Sequence, residues 1–110
     1  MIIQKTDIAT ICKSNEKSID IFFADFSKKI TNFKNDNIII DISDNKGEKT
    51  ENILLFLQYS KLHRNNGMSF VIVYDGIHFD DLPDEIIVVP SLDEAKDLIE
   101  MENIERDLGL

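Results

Sequence analysis

Three aspartates, Asp41, Asp44 and Asp75, close or follow the two most β-prone runs of the chain. In a parallel sheet they would lie along one rim, the side on which open α/β sheets hold ligands. Their carboxylate oxygens suit Mg²⁺. Aspartate also starts turns at strand ends, and in a chain this acidic the turn reading outweighs the metal one. Beside them runs the polar segment Ser43-Asp44-Asn45-Lys46-Gly47-Glu48-Lys49, followed by Thr50 at the start of a predicted helix with Glu51 and Asn52 in its first turn. A hydroxyl there takes one of two roles. It accepts a backbone N–H as an N-cap, or, once phosphorylated, it places an anion where the helix dipole favours one. Ser43, Asp44, Lys49, Thr50, Glu51 and Asn52 are therefore the candidate partner-contact or phospho-switch residues.

Other reactive patterns do not assemble. His63 and His78 fall in different predicted elements. A His-x-His-x-Asp-His run, such as metal-dependent nucleases of the metallo-β-lactamase type carry, is missing, so no catalytic metal is expected. His63 reads as a cation at a helix C-terminus, and His78 sits in an acidic loop. The four glycines are isolated, without a phosphate-cradling loop. Nucleophile elbows and Cys/His pairs are missing as well. Cys12 is the single cysteine and lies in the β-prone stretch Ile8 to Cys12. It reads as a small buried hydrophobe, since a reactive thiol needs a nearby cation or helix N-terminus and only Lys13 adjoins it. No catalytic residue and no cofactor are assigned.

Charge narrows the partner. With 21 acidic and 12 basic side chains, the 110 residues carry a net charge of −9. Such a surface repels nucleic-acid phosphates and anionic lipid, so neither is an expected partner. It favours a basic protein surface instead. Lys28, Lys29 and Lys34 are interleaved with apolar positions and read as the wet side of a helix. The first residues resemble no signal peptide, and no apolar run approaches membrane-spanning length. A cytoplasmic protein is expected.

Periodicity supplies the elements that must position these residues. Ile2-Ile3-Gln4 and Ile8 to Cys12 flank Thr6-Asp7 and predict an N-terminal hairpin. Ile19, Phe22, Phe23, Phe26, Ile30 and Phe33 fall at helical spacing. Asn37 to Ile42 is an almost unbroken β-branched run that suits a strand buried on both faces. Thr50 to about Arg64 predicts one helix with a wide apolar stripe, Ile53 to Leu57 with Tyr59 and Leu62, stopped by Asn65-Asn66-Gly67. Ser69 to Asp75 and Ile86 to Val89 read as strands, the latter ended by Pro90. Ser91-Leu92-Asp93-Glu94 is a capping box. It opens a last helix with Leu92, Ala95, Leu98 and Ile99 on its apolar side, then Met101 and Ile104. The fold class is α/β: an N-terminal hairpin, then alternating strands and helices in a mixed, mostly parallel sheet. Residues 1–110 are expected to form one domain.

The order of elements, and three local patterns, resemble the STAS family of sulphate-transporter and anti-sigma-factor-antagonist domains over nearly the whole chain. Ile40-Asp41-Ile42-Ser43 is similar to the family's Asp-Leu-Ser stretch. Lys49-Thr50-Glu51-Asn52 falls where the family has Asp-Ser-Ser-Gly. Pro90-Ser91-Leu92-Asp93-Glu94-Ala95 is similar to the start of its last helix. The resemblance implies helices wound largely onto one face of the sheet, no catalysis, and binding to an anti-sigma factor or kinase-like protein. In the family, phosphorylation of the Ser at the helix start switches that binding, and the resemblance leaves only Thr50 for the role; the chain departs from the family in that Asp-Ser-Ser-Gly itself is missing. The Gly76 to Glu85 connection is also shorter than the family's helical one.

Three functions follow as expectations. The first is a STAS-like protein-binding regulator with its surface around Ser43 to Asn52. The second is an accessory to a metal-dependent nuclease of the ribonuclease Z type, itself without the catalytic motif. The third is a homodimeric module joined through the hairpin edge. The chain is expected as a monomer or weak homodimer.

Overall fold

Five strands pair in sequence order, β1-β2-β3-β4-β5, in a computed structural model that describes residues 1–76 and 82–109. β1 (Ile2–Lys5) runs antiparallel to β2 (Thr10–Lys13), with Ile2 opposite Lys13. β3 (Ile38–Asp41), β4 (Phe70–Val73) and the two-residue β5 (Val88–Val89) continue from β2 in parallel. The expected mixed α/β sheet with its hairpin is thus present. Parallel neighbours require crossovers, and the helices supply them.

β3 is buried throughout because both its faces are covered. Side chains alternate across a strand. Ile38, Ile40, Phe70 and Ile72 enter one core, and Ile39, Val71 and Val73 enter the other. The larger core packs beneath α1 (Ile19–Lys29) and the helical segment after β3, the smaller beneath α4 (Leu92–Asp107). Two of the three helical units therefore share one face, and α4 alone covers the other. β1 and β5 are the two edges of the sheet, and all four residues of β1 are exposed.

Helix ends follow local chemistry. Ser18 holds an extended backbone before α1, and its Oγ accepts the Asp20 N–H at 3.2 Å. Beyond Lys29 the helix tightens into a 3₁₀ turn, Ile30–Phe33, that still buries Phe33. Ser91 caps α4, its Oγ accepting the Glu94 N–H at 3.2 Å as the capping box predicts. Phe22, Phe23 and Phe26 from α1 meet Phe56 and Tyr59 edge-on or tilted, with centroids between 5.1 and 6.1 Å. Such pairs add to the area they bury.

The single helix expected from Thr50 to Arg64 is divided. α2 (Thr50–Ile53) passes into a 3₁₀ turn (Leu54–Phe56) and then α3 (Leu57–Asn65). Five consecutive apolar residues cannot share one α-helical face, and a 3₁₀ turn eclipses positions i and i+3. Ile53 and Phe56 are the pair so aligned, and both are fully buried. The buried face then continues through Ser60 and His63, while Leu62, expected inside, is 59% exposed. Gly67 closes the segment at φ +77, a left-handed conformation that glycine adopts without strain.

Two further expectations are corrected. Met101 and Ile104 do not continue the core stripe of α4; they are 58% and 60% exposed. At 100° per residue they have rotated away from Ala95 and Ile99, which meet the sheet. His63 is not an exposed C-terminal cation. It is buried, with Nε2 3.2 Å from the Phe33 carbonyl oxygen and its ring 5.7 Å from that of Phe70. A carbonyl only accepts, so Nε2 carries the proton. Burial lowers the His63 pKa against the opposing pull of the Phe33 carbonyl and Asp36. His78 lies outside the described residues, as does the middle of the connection from Gly76 to Glu85.

Candidate functional site

The C-terminal ends of β2, β3 and β4 open onto the segment that carries most of the candidate residues. Asp41 ends β3 almost buried. Its Oδ1 accepts both the backbone N–H of Ser43, at 3.0 Å, and the Ser43 hydroxyl, at 2.6 Å. This turn occupies one carboxylate oxygen and fixes the direction in which the chain leaves the sheet. Asn45 then anchors the loop from within: its N–H donates to the Ile42 carbonyl at 3.0 Å, and its Nδ2 donates to the Glu16 carbonyl at 3.3 Å. The far side is held by Tyr74, just beyond β4, whose hydroxyl oxygen accepts the Glu48 N–H at 2.8 Å. Between these anchors Gly47 turns at φ +69.

The side chains that remain point outward. Asp44, Lys46, Lys49 and Glu51 are exposed, and Ser43, Thr50 and Asn52 are half-buried. Asp44 pairs with Lys13 on β2 at 3.3 Å, an open pair of small energetic weight. Asn52 donates to Glu48 Oε2 at 2.7 Å, one helical turn back. The six candidate residues thus belong to one loop and helix start at the C-terminal end of the central strand.

Thr50 does not cap the helix. The extended residue that precedes α2 is Lys49, and its carbonyl receives the Asn52 and Ile53 N–H groups. The helix therefore begins one residue earlier than the sequence predicts. Thr50 is already helical, and the cap position is held by a residue whose side chain forms no capping bond. With Glu48 tied to Tyr74, the backbone turns at Lys49 whatever hydroxyl follows.

The three rim aspartates take separate roles. Asp41 is engaged with Ser43, Asp44 with Lys13, and Asp75 is exposed beyond β4. Among the described residues no three His, Cys, Asp or Glu side chains gather as a metal site would need. Cys12 is fully buried in β2, and burial pushes its thiol up to about 12 against the pull of Lys29. The thiol stays protonated at neutral pH, which fits its reading as a packed hydrophobe.

The opposite end of the strands holds a polar cluster that the sequence did not reveal. Asn37, preceding β3, accepts the Ser69 N–H at 2.8 Å and donates to the Ile8 carbonyl at 3.0 Å and to Asn103 at 3.3 Å. Arg106 reaches Ser69 Oγ at 3.0 Å and also contacts Asn37 and Asn103. Glu102 accepts from Ser69 Oγ at 2.7 Å and from Arg64 at 2.9 Å, and Arg64 donates to the Phe70 carbonyl at 3.0 Å. α3, α4 and the starts of β3 and β4 are thereby locked together. The only sequence signal was polar residues at i, i+1 and i+4 in α4, Glu102, Asn103 and Arg106, on the side that also buries Ala95 and Ile99.

No protein-family model matches the chain, and no curated protein matches it at a significant level. Among the described residues no helix is long and apolar enough to cross a membrane.

Proposed function

We propose that this chain is a non-catalytic, STAS-like protein-binding regulator that meets its partner through Ser43 to Asn52. One observation carries the reading: the segment is fastened at both ends, by Asn45 and by the Tyr74 hydroxyl, while Asp44, Lys46, Lys49 and Glu51 stay in solvent. An anchored loop presents its charges in one arrangement, so little ordering cost is left for binding. Loops held by a rigid sheet are where recognition concentrates in such folds. Charges of both signs on one short surface favour a partner of complementary pattern and suppress others.

The partner in this reading is an anti-sigma factor or kinase-like protein, and phosphorylation of Thr50 regulates the contact. Thr50 is half-buried beside exposed Lys49 and Glu51, and its hydroxyl is not committed to capping. A phosphate there would add negative charge at the centre of the contact. The test begins with affinity capture from native cell extract, followed by purification of the captured protein. It is then titrated against wild type, Thr50→Ala and Thr50→Asp. Wild-type affinity for Thr50→Ala and a loss of about tenfold for Thr50→Asp are expected. Equal affinity for all three, with an equally folded Thr50→Asp, would remove the switch. A captured partner that is a metal-dependent nuclease would replace the regulator by a nuclease accessory.

A further inference from the structure

The outward face of α4 joins two features that the packing of the fold leaves unused. Met101, Ile104 and Leu108 are 58%, 60% and 68% exposed and follow one another at i, i+3 and i+7. They form an apolar row about 10 Å long, two helical turns. Beside Met101, α4 and the end of the edge strand β5 enclose an open groove lined by Val89, Pro90, Leu98 and Met101, with the carboxylates Glu94 and Asp97. Exposed Asp93, Glu100 and Glu105 flank that row, whereas Lys96 lies off it and Arg106 is turned inward on the opposite side of α4.

We infer that this groove docks a basic amphipathic helix from a partner protein, a second contact surface separate from Ser43 to Asn52. An apolar row bordered by carboxylates matches a helix with apolar residues on one face and Lys or Arg flanking them. Methionine suits such a surface because its flexible thioether adapts to the incoming side chains. Charge selects among occupants. A second copy packed α4 on α4 would set Glu94, Asp97 and Glu105 against like charges in a chain of net charge −9. Nucleic acid and anionic lipid meet the same repulsion. A cationic helix is attracted by every group that repels the others. The inference stands whether or not the loop at Ser43 to Asn52 binds a partner.

The test uses the full chain and a defined probe, a fluorescent 14-residue amphipathic peptide of leucine and lysine, at about 0.15 M salt to screen long-range attraction. Wild type is expected to bind one peptide per chain. A peptide of the same composition with its apolar face scrambled should bind about tenfold more weakly. Glu94→Gln/Asp97→Asn should weaken binding by about tenfold, and Met101→Ser/Ile104→Ser by a similar factor. Asp7→Asn/Asp20→Asn changes the net charge equally at exposed sites elsewhere and should leave binding within about twofold. All three double variants alter exposed or rim side chains, and their melting curves check the fold. Equal loss in both charge-neutralised variants would reduce the effect to general attraction and overturn the inference. So would wild-type binding by Met101→Ser/Ile104→Ser. Sedimentation showing a dimer that these two changes dissolve would make a second copy the occupant and overturn it as well.

Discussion

The two ends of the parallel sheet carry similar polar residues and put them to opposite use. At the starts of β3 and β4, Asn37, Ser69, Glu102, Asn103 and Arg106 bond to one another across three elements. At the ends of the same strands, Asp41, Ser43 and Asn52 bond within a few residues, Asn45 and Glu48 reach distant partners, and the charged neighbours are left in solvent. A polar group that closes long-range contacts is consumed by folding; one that closes a local turn only shapes a surface. Polarity alone does not mark a site, and where its hydrogen bonds go does.

The sharpest way to break this contrast is to remove Asn37. Asn37→Ala strands the buried Ser69 N–H and frees Ile8, Asn103 and Arg106 together. An unsatisfied buried donor plus lost bonds costs about 3 kcal/mol, read as a lower urea midpoint at constant slope. A cost below about 0.5 kcal/mol would reduce the cluster to decoration.

His63, next in α3 to Arg64 of that cluster and packed against Phe70, probes the same end of the sheet through pH. Its pKa is lowered in the fold by burial. Above about 6.5, the ordinary histidine value, folded and unfolded chains are both neutral there and stability is complete. As pH falls below that value the unfolded chain takes up the proton first, so stability declines until the lowered folded pKa is passed. The slope from this one group is at most about 1.4 kcal/mol per pH unit. Melting curves between pH 7.5 and 5.5 should therefore fall more steeply for wild type than for His63→Gln, which keeps a donor for the Phe33 carbonyl. Parallel curves would contradict the assignment.

The smallest effect belongs to the other end of the strands. Thr50 lies one residue inside α2 rather than at its cap. Thr50→Ala should then cost less than about 0.5 kcal/mol, where loss of an N-cap costs about 1. A measured loss near 1 kcal/mol would restore the capping role.

What was legible in the sequence followed from strong local pattern. The isoleucine run marked β3, the phenylalanine spacing marked α1, and Ser91 with Glu94 marked the start of α4. The alternation of these elements predicted the parallel sheet and placed Ser43 to Asn52 beyond the end of β3. What stayed hidden depends on the third dimension. Periodicity gives the spacing of Met101 and Ile104 but not how wide a face of α4 the sheet can cover. The apolar block Ile53 to Leu57 does not reveal that a 3₁₀ turn will reset the buried face. Asn37 and Arg106 meet across 69 positions, which no local window spans.

The start of the parallel strands holds the fold together, and their opposite end is the one proposed to meet a partner. A paired variant of the loop, Asp44→Arg/Lys49→Glu, tests this division most directly when its unfolding free energy and its affinity for the purified partner are measured on the same preparation. Both side chains are exposed, so stability should stay within about 0.5 kcal/mol of wild type while affinity falls by at least about tenfold. Unchanged affinity in a folded variant, or a loss of stability that accounts for the loss of binding, would contradict the division.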